Sequence, residues 1–290
     1  MSAGGVRGPV LVFGRTGQVA RELARAAPDA LCLSRASADL SDPAACAAAI
    51  RSHAPAAVIN AAAYTAVDRA EDEEALARVI NADAPAAMAR ACAQLRIPLV
   101  QISTDYVFDG AGTVPFAPDH SAAPLNAYGR TKLAGEAGVR AAGGVHAIVR
   151  TSWVFSAHGS NFVRTMLRLG AEHDHLRVVA DQTGGPTPAR ALAAACLAIA
   201  AALQADPAKV GTFHFSGAPD TSWAGFARAI MAGAGLDCRI AEIPTADYPT
   251  PARRPLNSRL DCGSLSVFGL AQPDWQADLR DIISELKGTS

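Results

Sequence analysis

Short runs of β-forming residues alternate with alanine-rich stretches of helical length through the first half of the sequence. The runs are VLVF at 10–13, LCL at 31–33, AVIN at 57–60, PLVQIS at 98–103 and AIVRTS at 147–152. Helices are predicted between them at about 17–26, 43–53, 71–94 with a break near Asn81, and 128–142. Because this alternation is typical of βαβ units, the sequence predicts an α/β fold with a Rossmann-type doubly wound parallel sheet.

The alternation becomes irregular after about residue 155. Proline and glycine cluster in DQTGGPTP at 181–188 and in YPTPARRP at 248–255, and proline disfavours both helix and central strand. We therefore expect a larger domain, 1–155, that contains most of the sheet. A smaller C-terminal α/β domain, 156–290, is expected to bind substrate, with some of its chain crossing back to the sheet.

Composition and charge limit the classes of partner. The 290 residues are 50% apolar and 18% charged, with a formal net charge of −1, so neither a nucleic acid nor an anionic membrane surface is favoured. The apolar run near the N-terminus is too short for a signal peptide, and no run has the length of a membrane span. Six cysteines without a CxxC pair are expected to be reduced and mostly buried, and we expect a cytoplasmic location.

A glycine-rich turn follows the first predicted strand and opens the first predicted helix. Gly14, Thr16, Gly17, Gln18 and Val19 occupy this turn. Glycine lets backbone amides approach a pyrophosphate at a helix N-terminus, as in dinucleotide-binding folds. An ordinary strand-to-helix turn gives a similar pattern, but the position in the first βα unit favours a dinucleotide.

Three polar side chains are candidates for proton transfer. Tyr128 precedes Lys132 by four residues, so both lie on one helix face. An ammonium beside a phenol favours the phenolate, and we expect it to lower the pKa of Tyr128 towards the range of an acid–base catalyst. Thr104 follows a predicted strand and would lie at its carboxyl end, where doubly wound folds bind ligands. A surface tyrosine and lysine and a capping threonine are the structural alternatives.

Together these motifs resemble the extended short-chain dehydrogenase/reductase family and, more narrowly, the dTDP-4-dehydrorhamnose reductase family. The resemblance covers nearly the whole chain. It is carried by NAAAYTAVDRAED (60–72), STDYVFDG (103–110), PLNAYGRTKLAGE (124–136), RTSWVF (150–155), NFVRTMLRL (161–169) and RPLNSRL (254–260). It implies an NADPH- or NADH-dependent reduction of the C4 keto group of dTDP-4-dehydro-6-deoxy-L-mannose, which gives dTDP-L-rhamnose.

The resemblance also implies roles for single residues. Tyr128 would donate the proton, Lys132 would hold the nicotinamide ribose, and Thr104 would complete the triad. Besides the glycine turn, the cofactor would contact Asp39, Leu40, Ala61, Ala62, Ala63, Tyr64 and Thr65. Thr104, Asp105 and Trp153 would face the sugar.

Charged residues nearer the C-terminus are candidates for further contacts. Arg253, Arg254 and Arg259 lie in or beside a proline-rich loop, and arginine suits bidentate binding of the diphosphate, although at least one is expected to be solvated surface charge. The HDH sequence at 173–175 lies near the end of a predicted helix, where histidine also suits the helix dipole. No catalytic metal is therefore predicted.

The residues after the second predicted strand bear on the choice of cofactor. An acidic side chain about 20 residues beyond the first glycine binds the ribose 2′-hydroxyl and repels a 2′-phosphate. Here that region offers Ser34 and Arg35, whereas Asp39 lies further along. The sequence therefore predicts a preference for NADPH, with both cofactors used about equally if Arg35 points to solvent.

Two alternatives to a reductase share the same motifs. A nucleotide-sugar epimerase or dehydratase would use the glycine turn, Tyr128 and Lys132 but consume no reduced nicotinamide. A relative of the resembled reductases serves as a non-catalytic regulatory subunit, so NADP binding without reaction is the second alternative. Here Thr104, Tyr128 and Lys132 are all present, which favours activity.

Assembly is the last feature on which the resemblance bears. Some members of the resembled family form a homodimer bridged by magnesium through glutamates of both subunits. Glu22 matches one of these glutamates, but Arg190 stands where another is found. Because a cation cannot ligate magnesium, no magnesium-dependent dimer is predicted at this site, and a homodimer would have to form in another way.

Overall fold

The structure, a computed structural model, describes residues 6–288. Its strands are β1 (Val10–Phe13), β2 (Leu31–Leu33), β3 (Ala57–Asn60), β4 (Leu99–Thr104), β5 (His146–Thr151), β6 (Val154–Phe155), β7 (His175–Val179), β8 (Thr183–Gly184), β9 (Thr187–Pro188), β10 (Gly211–His214), β11 (Thr221–Ser222), β12 (Arg239–Ile243) and β13 (Asn257–Ser258). Its α-helices are α1 (Gln18–Ala26), α2 (Pro43–His53), α3 (Glu74–Arg78), α4 (Ala84–Leu95), α5 (Ala127–Ala141), α6 (Phe162–Glu172), α7 (Ala189–Ala205), α8 (Trp223–Ala234) and α9 (Trp275–Gly288).

Six parallel strands form the central sheet, in the spatial order β10–β5–β4–β3–β1–β2. Helices α1 and α7 pack on one face, and α2, α4 and α5 pack on the other. Strands that are covered on both faces are built from continuous apolar runs, as VLVF in β1 and AVIN in β3 show. The predicted Rossmann-type doubly wound sheet is confirmed.

The chain beyond residue 155 contributes to the same sheet and also builds a separate core. Strand β10 pairs with β5, and the alanine-rich helix α7 covers the sheet beside α1. The separate core packs α6, α8 and α9 around Phe226 and Trp275, with the parallel pair β7–β12 beside them. Trp223, the first residue of α8, lines the cavity described below.

Element boundaries in the first half lie close to the predicted ones. Helix α2 begins and ends as expected, with the Asp42 side chain accepting a hydrogen bond from the amide of Ala45 at 3.0 Å. The predicted break near Asn81 is a π-helical turn, Val79–Asp83, that joins α3 to α4. The HDH segment lies at the end of α6, as predicted, with His173 as its C-cap, and His175 begins β7.

Candidate active site

A cavity of about 1170 Å³ opens at the carboxyl ends of β1, β3, β4 and β5. Loops from these strands converge here because the strands are parallel and the order of the sheet reverses beside β1. The cavity brings together the expected cofactor residues Gly14, Thr16, Gly17, Gln18, Val19, Ser34, Arg35, Asp39, Leu40, Ala61, Ala62, Ala63, Tyr64, Thr65, Tyr128 and Lys132. Thr104, Asp105 and Trp153 line the same cavity.

The glycine turn has the shape that a pyrophosphate requires. Gly14 has a φ of +114°, which side-chain-bearing residues rarely adopt, and a Cβ there would lie 3.3 Å from the Cβ of Ala20. Gly17 caps α1 without any side-chain hydrogen bond, and a Cβ at Gly17 would meet nothing within 4 Å. The first amides of α1 therefore face open space at the positive end of a helix, which fits a dinucleotide phosphate.

Gln18 connects this turn to the segment that follows Trp153. Its Oε1 accepts hydrogen bonds from Ser156 Oγ at 2.9 Å and Asn161 Nδ2 at 3.0 Å. Its Nε2 donates to the carbonyl of Val154 at 3.3 Å. The side chain thus joins the two ends of the cavity.

The end of the cavity after β2 carries an exposed ion pair. Arg35 Nε lies 3.5 Å from Asp39 Oδ2, and the Arg35 side chain is 78% exposed. The amide and hydroxyl of Ser41 hold the pKa of Asp39 below its ordinary range, so this carboxylate is charged at neutral pH. Ser34 Oγ lies 3.1 Å from Ser37 Oγ. A 2′-phosphate bound by Arg35 would therefore also lie close to the negative charge of Asp39.

Helix α5 places Tyr128 and Lys132 in the cavity. Its first turn is capped by Asn126, whose side chain accepts from the amide of Gly129 at 2.8 Å. A Cβ at Gly129 would lie 2.1 Å from the carbonyl oxygen of Tyr106, so glycine allows the helix to approach the end of β4. The buried Lys132 Nζ donates to the carbonyl of Ile102 at 2.7 Å, and burial lowers the pKa of Lys132 to about 8.

The expected lowering of the pKa of Tyr128 is wrong for this structure. Burial raises the pKa of Tyr128 above its ordinary range, and a hydrogen bond with Thr104 opposes this only in part. The negative charge of Asp105 adds to the effect of burial. Tyr128 is therefore a protonated phenol at neutral pH.

Asp105 and Trp153 also line the cavity. Asp105 is buried directly after β4, and burial raises the pKa of its carboxyl to about 6. Trp153 has a φ of +50°, and its ring stacks on Trp223 with centroids 3.7 Å apart. A non-glycine residue held in this conformation is typical of a functional site.

Proteins that are similar over nearly the full length of the chain show its family. Residues 8–287 match the family described as RmlD substrate binding domain. A dTDP-4-dehydrorhamnose reductase of Sinorhizobium fredii is 44% identical over 282 residues, which are 94% of this chain and 95% of the relative. The chain belongs to the dTDP-4-dehydrorhamnose reductase family.

Solved structures of dTDP-4-dehydrorhamnose reductases have the same fold. The structure from Clostridium acetobutylicum gives a TM-score of 0.90 at 35% identity and covers 96% of this chain and 99% of that chain. The structure from Bacillus anthracis, in complex with NADP, gives 0.89 at 33% identity with coverages of 96% and 99%. The resemblance seen in the sequence motifs is confirmed.

The three arginines in or beside the proline-rich loop, Arg253, Arg254 and Arg259, predicted to bind the diphosphate, are not among the residues within 6–288 that line the cavity. Arg254 pairs with Asp68 at 2.7 Å and Arg259 with Asp220 at 3.6 Å, while Arg253 is exposed. Two of the three are thus engaged with carboxylates of the chain itself.

Some polar residues of this family member were not predicted as site residues. Asn81, buried in the π-helical turn, binds the backbone of Tyr64 and the hydroxyl of Thr131. Arg150 on β5 and Glu136 on α5 form a buried ion pair. An available signal was the charge of Arg150 within the apolar run AIVRTS, since a charge in a central strand needs a buried partner.

The remaining expectations concern cysteines, metals and membranes. Each cysteine is free, and all but Cys32 are buried, as expected. In the described range, 6–288, no group of three or more His, Cys, Asp or Glu side chains could hold a metal. None of the helices within this range is both long and apolar enough to span a bilayer.

Proposed function

We propose that the protein reduces the C4 keto group of dTDP-4-dehydro-6-deoxy-L-mannose with NADPH, giving dTDP-L-rhamnose. The observation that carries this proposal is the single cavity that holds both the glycine turn and the group Thr104, Tyr128 and Lys132. Membership of the dTDP-4-dehydrorhamnose reductase family supports the substrate. The NADP complex of the Bacillus anthracis relative supports the cofactor.

Tyr128 is the proposed proton donor. When bound, the nicotinamide supplies a hydride to the carbonyl carbon, which forms the new C–H bond. Tyr128 gives its phenolic proton to the carbonyl oxygen as that oxygen gains negative charge, so the products are an alcohol and an oxidised cofactor. The phenol of Tyr128 is protonated before the reaction begins, as a proton donor must be.

Lys132 and Thr104 assist this transfer. When Tyr128 gives up its proton, the Lys132 ammonium stabilises the phenolate that forms. Because Lys132 is buried, this electrostatic stabilisation is stronger than it would be in water. We propose that the same ammonium hydrogen-bonds the ribose of the nicotinamide. Thr104 Oγ1, which donates to Asp105 Oδ1 at 3.0 Å, lies where a hydroxyl can hydrogen-bond the substrate oxygen.

The sugar is proposed to lie between Asp105 and the Trp153–Trp223 stack. The cofactor is proposed to run from Lys132 across Ala61–Thr65 and the glycine turn to Ser34, Arg35, Asp39 and Leu40. In this arrangement 1–155 supplies most cofactor contacts and 156–290 supplies the rest of the substrate side. We propose a cytoplasmic location, which suits free cysteines.

The test is an incubation of the protein with NADPH and enzymatically prepared dTDP-4-dehydro-6-deoxy-L-mannose. Absorbance of the reduced nicotinamide and chromatography of the sugar nucleotide are followed together. One NADPH should be consumed for each dTDP-L-rhamnose formed. Conversion of the sugar without NADPH consumption would instead identify an epimerase or dehydratase, and NADPH binding without any conversion would identify a regulatory subunit.

A further inference from the structure

A buried carboxylate lies behind the proposed catalytic residues and takes no part in the chemistry above. The side chain of Glu136 has no exposed surface, and Arg150, its main partner, is 4% exposed. Burial favours the neutral acid, but the hydrogen bonds and charges of Arg150, Ser103 and Arg140 hold the pKa of Glu136 below its ordinary range. A buried charge is costly unless its partners are well placed, so the arrangement around Glu136 is tightly specified.

The partners of Glu136 come from neighbouring strands of the sheet. Oε1 accepts from Ser103 Oγ at 2.6 Å and from Arg150 Nε at 2.9 Å. Oε2 accepts from Arg150 Nη2 at 2.7 Å. Ser103 on β4 and Arg150 on β5 are register partners, and each immediately precedes a cavity-lining threonine, Thr104 or Thr151.

Glu136 and Lys132 attach the same helix to consecutive residues of β4. Lys132 donates to the carbonyl of Ile102, and one helical turn later Glu136 accepts from the hydroxyl of Ser103. The next residue along β4 is Thr104. The separation of Thr104 from Tyr128 and Lys132 therefore depends on these two attachments.

We propose that Glu136 is a positioning residue of the active site, which holds Ser103, and with it Thr104, in register with Tyr128 and Lys132. This inference rests on the proposed function for its kinetic readout. Glu136 also places a negative charge one turn from Lys132, and so favours the ammonium form of that side chain. Both effects act through other residues, since Glu136 is not among the residues that line the cavity.

The charge effect has a defined direction. Glu136 is the charged group that acts on Lys132, and Glu136 itself pairs with Arg140 on the same helix and with Arg150 on β5. Burial lowers the pKa of Lys132 to about 8 and Glu136 opposes this. Loss of the Glu136 charge should lower the pKa of Lys132 further, so the ammonium form is lost at a lower pH.

Three variants test the inference. Ser103→Ala removes one hydrogen bond and leaves the ion pair intact, so the protein should fold. Glu136→Gln removes the charge. Arg140→Gln is the matched control, because Arg140 also contacts Glu136, at 3.3 Å, but from the partly exposed end of the helix.

We expect Ser103→Ala to lower kcat by roughly tenfold and to change KM by no more than about twofold. This loss of kcat is smaller than the roughly hundredfold loss that a 1 Å misplacement can cause. Glu136→Gln should move the alkaline limb of the kcat–pH profile below its position in the native protein. Arg140→Gln should keep the native kcat and alkaline limb. A native kcat in Ser103→Ala, or a native alkaline limb in a folded Glu136→Gln protein, would overturn the proposal.

A binding measurement separates this inference from the proposed function. The affinity for NADPH is measured against pH by nicotinamide fluorescence in the native protein and in Glu136→Gln. Weakening of binding at high pH should begin at lower pH in the variant, whether or not the sugar is turned over. If the native protein fails to reduce the sugar, the proposed function fails, and this shift still decides the charge role of Glu136.

Discussion

The two ends of the cavity differ in the burial and charge of the residues that form them. The end beyond the glycine turn consists of backbone, small side chains and an exposed ion pair between Arg35 and Asp39. The catalytic end rests on charges that water does not reach, with Lys132, Glu136 and Arg150 each at most 4% exposed. At the first end a substitution should change ligand affinity alone, whereas at the second it should change chemistry or stability.

The largest effect is expected at Tyr128. Tyr128→Phe keeps the ring and removes the acid, so turnover should fall by roughly a hundredfold or more while NADPH affinity changes little. Lys132→Met should lower both turnover and NADPH affinity. Steady-state kinetics and NADPH titration measure the two quantities, with Tyr248→Phe at an exposed position as the control. Near-native turnover of Tyr128→Phe would show that Tyr128 is not the proton donor.

The second effect compares ion pairs at the two ends. Arg150→Met leaves the Glu136 carboxylate buried without its main partner, and the free energy of unfolding should fall by about 3–5 kcal/mol. Arg35→Met breaks an exposed pair and should change it by about 1 kcal/mol or less. Urea denaturation of both variants measures the difference. Equal losses of stability would show that the buried ion pair contributes no more to stability than the exposed one.

The third effect concerns cofactor choice at the exposed end. Arg35 is mostly exposed and lies 3.5 Å from Asp39, so an NADPH preference requires its guanidinium to turn from Asp39 to the 2′-phosphate. The charge-assisted hydrogen bond would then favour NADPH by about 1.5–3 kcal/mol, or roughly tenfold to hundredfold in kcat/KM, whereas without that turn both cofactors should be used about equally. Arg35→Ala should remove this preference. Asp39→Asn should increase it, because the competing carboxylate of the ion pair is lost.

The measurement for this third prediction is kcat/KM with NADPH and with NADH in the native protein and both variants. A native preference for NADH would contradict the assignment of Arg35. An NADPH preference that survives Arg35→Ala would do the same.

The smallest effect is expected from removal of magnesium. Glu22 lies 3.1 Å from His158 Nε2, and Arg190 pairs with Asp278 and Asp281 of α9. With a cation at position 190, chelation by EDTA should leave the molar mass in solution unchanged by light scattering. A dimer that dissociates on chelation and re-forms with magnesium would refute this prediction.

The sequence predicted those parts of the molecule whose signal is local. The strand runs from VLVF to AIVRTS lie within one residue of β1 to β5. Strands that helices cover on both faces are mostly apolar, although β5 also carries the buried Arg150. The glycine turn and the four-residue spacing of Tyr128 and Lys132 place their residues in one cavity. Each of these patterns is a consequence of local backbone geometry.

Tertiary structure decided what depends on partners distant in the chain. Helix α7 was not predicted, since its alanine-rich sequence offers little contrast between its two faces. Burial raises the pKa of Tyr128, and Arg254 pairs with Asp68 far along the chain. The sequence by itself determined which groups are present and which strand ends carry them. Their protonation states and hydrogen-bond partners depend on burial and ion pairing, which arise only when distant segments pack together.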